Sequence, residues 1–156
     1  TGFDAMTGAL LDIKIKGRKA QTLSKHWAEG PLNYLGLMMN GFPNLFTVTG
    51  PGSPSVLSNM IVAIEQHVDF IGDLLIFMRQ NGKRNFEATR QAEIDWVQQV
   101  NGIAEQTLYT SGCSSWYLGA NIPGKPKIFM PYIGYPSYVE KCNEIAADNY
   151  YGLEFS

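Results

Sequence analysis

Residues 50–60, GPGSPSVLSNM, join two glycines and two prolines to the start of a long amphipathic pattern. A glycine-opened turn before a helix presents free backbone N–H groups and the positive end of the helix dipole. This arrangement attracts an anion or an electron-rich ring edge. Gly50 and Gly52 allow a ligand to approach the backbone closely, and the prolines restrict the loop to few conformations. The pattern is equally consistent with a well-capped turn that binds nothing.

Ser55, Ser58 and Asn59 add capping and hydrogen-bonding groups to this segment. The segment is not a dinucleotide fingerprint, because Ser55 occupies the position of the third glycine in G-x-G-x-x-G. The chain also lacks the G-x-S-x-G elbow of an α/β-hydrolase, so none of its serines is a predicted nucleophile.

A second glycine-rich loop, SSWYLGANIPGKP at residues 114–126, carries an aromatic pair and one cation, Lys125. Trp116 is able to stack on a cofactor or to donate its indole N–H to one. From the residues alone, the general burial of aromatic side chains favours a core anchor instead.

The two histidines, His26 and His67, have no cysteine or carboxylate at a recognised metal spacing. Structural histidines are therefore the better interpretation, and no metal is predicted. Asp4 is able to bond a ligand hydroxyl or to cap the turn before Gly8, and the cap is favoured.

The chain has 156 residues, enough for one globular core, and a formal net charge of −2. Its 12 Lys and Arg residues are scattered, which argues against nucleic acid or a membrane surface as a partner. With two cysteines and no apolar run of membrane-spanning length, we expect a cytoplasmic protein. The sequence starts at TGFDAMTG without a Met, so we expect the rest of a domain upstream.

Apolar residues at spacings of three and four predict three main helices. These cover Ile61 to Met78 with an end near Asn81-Gly82, Phe86 to Leu108, and Ser137 to Asp148 with a Ser137/Glu140 capping box. Short or alternating apolar runs predict a few strands. These cover residues 9–17, 34–39, 44–50 and 128–134. The combination indicates the α/β class.

Four stretches together carry a resemblance to a known family. They are TGFDAMTG, NLFTVTGPGSPSVLSNM, IEQHVDFI and SSWYLGANIPGKPKIFMPYIGY, in this order and at these spacings. They resemble the C-terminal part of the flavin-containing Baeyer–Villiger monooxygenases, closest to the phenylacetone and steroid monooxygenase branch. The resemblance covers nearly the whole chain and is more specific than either glycine-rich loop alone.

The resemblance implies an α/β fold of two Rossmann-like domains, one for FAD and one for NADP. Residues 1–156 would be the C-terminal portion of the FAD-binding domain. Residues 1–8 would form the junction with the NADP domain, and residues 109–127 a mobile active-site loop. The FAD fingerprint and the catalytic arginine would lie upstream, so no catalytic residue is expected in this chain.

In the family, the loop that matches the first glycine-rich segment passes alongside the isoalloxazine ring. The resemblance therefore implies that Met60 contacts the flavin, with Asn59 beside it at the helix start. Ser55, Val56 and Leu57 match the border of the substrate pocket. Plain core packing is the alternative for Val56 and Leu57.

Trp116 matches the tryptophan of a mobile loop that meets NADP and closes the active site, which reverses the preference for a core anchor. Gly2 and Asp4 belong to the TGFD stretch, where the chain returns from the NADP domain to the FAD domain. The resemblance therefore implies that both lie close to the cofactors.

The implied reaction uses NADPH and FAD to insert one oxygen atom of O₂ next to a ketone carbonyl, giving an ester or lactone. Its partners are the N-terminal remainder of the enzyme, the ketone and O₂, and this chain alone is expected to be inactive. Two alternatives from other classes remain. One is a free-standing nucleotide-binding module, and the other is a structural interaction module that binds no cofactor.

Overall fold

The computed structural model describes residues 4–112, 115–119, 123–124 and 126–156. The helices in these ranges are α1 (Gly8–Leu11), α2 (Leu23–His26), α3 (Met60–Gln80), α4 (Arg90–Glu105) and α5 (Tyr135–Ala147). Two short strands, β1 (Phe86–Ala88) and β2 (Leu153–Phe155), pair in an antiparallel manner. The predicted α/β class with three main helices is confirmed, because α3, α4 and α5 are much longer than the others.

Helix α3 is the longest element, and it buries one face. That face consists of Ala63, His67, Phe70, Leu74 and Met78. Of the apolar residues whose spacing predicts the helix, Ile61, Val68 and Leu75 are exposed, so the buried face is not the predicted one. The side chain of Asn59 caps the start. The helix ends at Gln80, and the C-cap residue Asn81 is followed by Gly82 with a φ of +64°. Both the predicted helix and its glycine stop signal are confirmed.

Helix α4 starts at Arg90 and not at Phe86. Phe86–Ala88 instead form β1, which pairs with β2. The Thr89 hydroxyl then accepts a hydrogen bond from the Ala92 N–H at 3.1 Å and caps the helix. Strands of three residues are too short to show a periodic pattern, which is why neither strand was predicted.

None of the four predicted strands forms. In the first stretch, the N–H groups of Leu10 and Leu11 bond to the Thr7 carbonyl at 3.1 and 3.0 Å and wind the chain into α1. The second predicted strand, residues 34–39, is interrupted by a left-handed φ of +61° at Leu35. The third, residues 44–50, is interrupted by a left-handed φ of +55° at Thr49. The fourth is extended, but its backbone bonds go to neighbouring loops and form no ladder.

Helix α5 starts two residues before the predicted Ser137. Pro136 lies in the first turn, where its missing N–H forfeits no helical hydrogen bond. The Ser137 hydroxyl donates to the Gly134 carbonyl at 2.9 Å, so the predicted capping box is not formed.

Two apolar clusters hold these elements together. The main cluster joins α3, α4 and α5 and includes the turn residues Tyr34, Leu35, Leu37 and Met38. The smaller one consists of Leu23, Trp27, Met39 and Phe42. The irregular segment before α3 is thus anchored on buried side chains. Within the described ranges, no helix has the length and apolarity needed to cross a membrane.

Candidate functional site

The segment Gly50–Met60, here called the glycine turn, is held from two sides. The Gly52 N–H donates to the Met130 carbonyl, which belongs to the extended segment before α5. The Gly52 carbonyl accepts a hydrogen bond from the indole Nε1 of Trp96 on α4 at 3.0 Å. The turn is therefore a rigid structure that is fixed by elements distant from it in sequence.

The two glycines of the turn pack closely against other residues of the chain. A Cβ on Gly50 would meet the Gly36 carbonyl and would lie 2.7 Å from the Thr47 hydroxyl oxygen. Gly52 has a φ of +85°, and a Cβ there would lie 3.2 Å from Nε1 of Trp96. Close packing against neighbouring segments of the protein therefore accounts for both glycines, and the approach of a ligand to the backbone stays a prediction.

The glycine turn ends at the N-terminus of α3, as predicted. Asn59 Oδ1 accepts from the N–H of Ile61 at 3.0 Å and from that of Val62 at 3.5 Å. Among the described residues, the Met60 N–H has no hydrogen-bond acceptor, and the first turn of α3 carries no acidic side chain. The helix start therefore offers an N–H and the positive dipole end to an electron-rich group.

The side chains next to this helix start differ in accessibility. Val56 is 39% exposed and Met60 is 36% exposed, so both present apolar surface beside the helix N-terminus. Leu57 is half-buried and packs on the main cluster, which agrees with the core-packing alternative for this residue but not for Val56. Ser55 is 3% exposed and adopts a left-handed φ of +43°. Of the predicted site residues, the turn thus exposes Val56, Asn59 and Met60 and buries Ser55.

Residues 109–127, here called the tryptophan loop, contain a short helical turn, Trp116–Leu118. The Ser115 hydroxyl accepts from the Tyr117 N–H at 3.2 Å and starts this turn. Trp116 is 37% exposed, with its ring centroid 4.4 Å from that of Tyr117. Tyr117 packs in turn on Phe129 at 6.3 Å between centroids. The prediction from the residues alone that Trp116 is buried as a core anchor is therefore wrong. Tyr117, which is half-buried, packs on the main cluster instead.

One backbone unit connects the tryptophan loop to the glycine turn. The Met130 N–H donates to the Tyr117 carbonyl at 2.9 Å, and the Met130 carbonyl accepts from the Gly52 N–H. Both loops are thus hydrogen-bonded to the same residue. The two glycine-rich loops of the sequence are brought together in space, which no pattern in the sequence indicated.

The predicted residues of the TGFD stretch are only partly covered by the structure. Gly2 lies outside the described residues. The Asp4 carboxylate accepts from the Thr7 N–H at 3.2 Å and from the Thr7 hydroxyl at 3.0 and 2.9 Å. This is the turn cap that the residues favoured, and a contact of Asp4 with a cofactor stays a prediction.

Both histidines have hydrogen-bond partners, as predicted. His26 Nε2 lies 2.9 Å from the carboxylate of Glu93, which is fully buried and also accepts from the Asn40 N–H at 2.9 Å. A cavity of about 330 Å³ adjoins His26. These groups bond one another, so the pair holds α2 to α4.

His67 links α3 to Thr49, the residue before the glycine turn, and to α5. Its Nδ1 lies 3.1 Å from the Thr49 N–H, and its Nε2 lies 3.0 Å from the Tyr138 hydroxyl. Burial lowers the pKa of His67 from 6.5 to about 4, and burial also raises the pKa of Tyr138 well above its usual value. Sequence reasoning did not find this contact, although the spacing with Ala63, Phe70 and Leu74 places His67 on the buried face.

The chain is similar to several curated proteins over nearly all of its length. No protein-family model matches it. It is 38% identical to the acetone monooxygenase (methyl acetate-forming) of Gordonia sp. strain TY-5, over 100% of the chain and 30% of the relative. It is 37% identical to a Baeyer–Villiger monooxygenase of Pseudooceanicola batsensis, over 98% of the chain and 28% of the relative. The chain thus spans less than a third of the curated relatives it matches.

Solved structures give the same result. An oxidised steroid monooxygenase bound to NADP aligns with a TM-score of 0.89 and 44% identity, covering 99% of this chain and 28% of that one. A complex of OTEMO with FAD and NADP aligns with a TM-score of 0.90 and 34% identity, covering 100% of this chain and 28% of that one.

Sequence and fold therefore match a segment of larger monooxygenases. More narrowly, the chain is similar over nearly its whole length to a segment of the Baeyer–Villiger monooxygenases. The resemblance carried by the four sequence stretches is confirmed.

Proposed function

We propose that this chain is part of an FAD- and NADPH-dependent Baeyer–Villiger monooxygenase, which inserts one oxygen atom of O₂ next to a ketone carbonyl to form an ester or lactone. The observation that carries the proposal is the start of α3. There an N–H without an acceptor among the described residues, a positive dipole end and two exposed apolar side chains meet on a rigid turn. Relatives of this chain bind FAD and NADP, as in the OTEMO complex.

The residues at the start of α3 fit an isoalloxazine ring. Its pyrimidine edge is rich in electrons and becomes anionic on reduction, so it suits a helix N-terminus that has no acidic side chain in its first turn. Met60 would lie against the ring, with Asn59 at the same helix end. When bound, FAD that has been reduced by NADPH supplies the activation of O₂ and the transfer of oxygen.

The chain's own residues would bind and orient the flavin and would exclude water from the ketone site. The α3 N-terminus would hold the pyrimidine edge in one orientation. Val56 and Leu57, with the backbone of Ser55, would form an apolar border that selects the ketone and keeps water away. Trp116 would close over NADP, and Gly2 and Asp4 would lie where the FAD and NADP domains meet.

The group that stabilises charge on the reacting carbonyl would be an arginine elsewhere in the enzyme. We therefore infer that the chain alone does not turn over ketones. In this proposal, residues 1–156 complete an FAD-binding domain, residues 1–8 join it to the NADP domain, and residues 109–127 form the mobile loop. A cytoplasmic location agrees with the buried, unpaired Cys142 thiol, whose pKa is raised to about 11 by burial.

The test uses the complete protein that contains this segment. Flavin absorbance in the purified protein, together with NADPH oxidation that depends on both O₂ and a ketone and yields an ester, supports the proposal. A complete protein that binds FAD and shows no ketone-dependent oxidation contradicts it. A 156-residue chain that binds FAD alone supports the nucleotide-binding module instead.

A further inference from the structure

His67 is a fully buried residue on α3 that contacts Thr49, next to the glycine turn. Its Nδ1 accepts a hydrogen bond from the Thr49 N–H at 3.1 Å, and Thr49 directly precedes the turn. Asn59 caps the same helix at the other end of the turn. Helix α3 therefore fixes both ends of the glycine turn.

The hydrogen bonds of His67 define its protonation. The Thr49 N–H is only a donor, so Nδ1 carries no proton. The Tyr138 hydroxyl donates to the Leu35 carbonyl at 2.8 Å, so its oxygen accepts from Nε2–H at 3.0 Å. Only the neutral imidazole with its proton on Nε2 satisfies all these groups. The low pKa of His67 keeps it neutral at physiological pH.

The backbone of Thr49 needs such a partner. Its φ of +55° is a left-handed conformation that a β-branched residue adopts unfavourably. Conformations of this kind persist only where surrounding contacts hold them in place. The imidazole of His67 is a rigid acceptor that is fixed from α5 by Tyr138, so it supplies this contact.

We propose that His67 is a positioning residue for the flavin and ketone site: its Nδ1 holds the Thr49 N–H and thereby sets the orientation of the glycine turn relative to the N-terminus of α3. Val56 and Met60 keep their exposed placement because the turn that carries them does not rotate. This role rests on the proposed function, because only a bound flavin gives the orientation of the turn a chemical consequence.

The test compares His67→Asn with His67→Gln in the complete protein. The Oδ1 of asparagine takes the place of Nδ1 and accepts the Thr49 N–H, whereas the glutamine amide reaches towards Tyr138 and leaves that N–H without a partner. We expect His67→Gln to speed hydrogen exchange of the Thr49 amide and to raise the FAD dissociation constant and the ketone KM, each about five-fold. His67→Asn should stay within about two-fold of the unsubstituted protein in all three.

Equal effects of the two variants overturn the proposal, because His67 would then act through packing alone. Faster exchange at Thr49 in His67→Gln with unchanged FAD affinity and ketone KM also overturns it. If the variants do not fold, ¹⁵N NMR of the unsubstituted protein decides. A proton on Nε2 with coupling from Nδ1 to the Thr49 amide supports the proposal, and a proton on Nδ1 contradicts it. A protein without ketone oxidation refutes the proposed function, while the exchange and NMR results still report on His67.

Discussion

Trp96 Nε1 donates a hydrogen bond to the Gly52 carbonyl at 3.0 Å and joins α4 to the glycine turn. The same indole stacks on Tyr132 with ring centroids 5.3 Å apart and an interplanar angle of 10°. Trp96 therefore holds the turn by a directional bond and by packing on the extended segment behind it.

Replacement of Trp96 by Phe removes this bond and leaves a buried carbonyl without its partner. We expect a loss of about 1–3 kcal/mol in the free energy of unfolding, measured by urea titration of the complete protein. The matched control is Trp27→Phe, because the Trp27 indole donates to the Leu32 carbonyl at 2.7 Å in the smaller cluster. Both variants should lose stability, and only Trp96→Phe should weaken FAD binding. Equal FAD affinity in both would contradict a role of Trp96 in holding the turn.

Replacement of Gly52 by Ala tests the close contact in the glycine turn. A φ of +85° disfavours alanine by about 1 kcal/mol, and its Cβ would lie 3.2 Å from Nε1 of Trp96. Gly82→Ala is the control, because Gly82 has a φ of +64° and no atom within 4 Å of an added Cβ. We expect the thermal midpoint to fall further for Gly52→Ala than for Gly82→Ala. The same decrease in both would mean that the turn accommodates the methyl group.

Acid should destabilise the protein through His67. Its pKa is about 4 when folded and 6.5 when unfolded, so the unfolded chain binds the proton first as the pH falls. The contribution of His67 to stability is therefore complete above pH 6.5 and is lost as the pH falls towards 4, by on the order of 3 kcal/mol. Urea titrations at several pH values should show this slope, and His67→Asn should flatten it. If the free energy of unfolding of His67→Asn depends on pH as steeply as that of the unsubstituted protein, the loss of stability in acid comes from carboxylates and not from His67.

The long helices were predictable because their physical signals are local. Helix α3 carries apolar residues at helical spacing, the Asn59 cap and the Gly82 stop, and each signal is readable within one or two turns. The spacing predicted the helix but not its buried face, because Ile61, Val68 and Leu75 are exposed. The N-terminus that forms the candidate site was predictable for the same reason. The resemblance supplied the exposed positions of Met60 and Val56, which periodicity alone does not distinguish from core residues.

The predicted strands failed because their conformation depends on distant contacts. Thr49 is β-branched and lies in a stretch that predicts a strand. Its φ is nevertheless +55°, and its N–H donates to His67 on α3. Met130 lies in an apolar run, yet its two backbone groups bond to Tyr117 and Gly52. In each case a tertiary hydrogen bond outweighs the local propensity, and no pattern in one sequence reveals that bond.

The cap of α3 gives the most direct test of the candidate site. Asn59→Ala removes the acceptor of the Ile61 and Val62 N–H groups, and we expect a loss of about 1 kcal/mol in the free energy of unfolding. Thr89→Ala removes the corresponding cap of α4 and should cost about the same. If the α3 N-terminus holds the pyrimidine edge of FAD, only Asn59→Ala should change the flavin absorbance spectrum and the FAD dissociation constant of the complete protein. The two caps make the same type of hydrogen bond and differ only in the helix that they start. If both variants have the same flavin spectrum and the same FAD dissociation constant, the flavin does not bind at the α3 N-terminus.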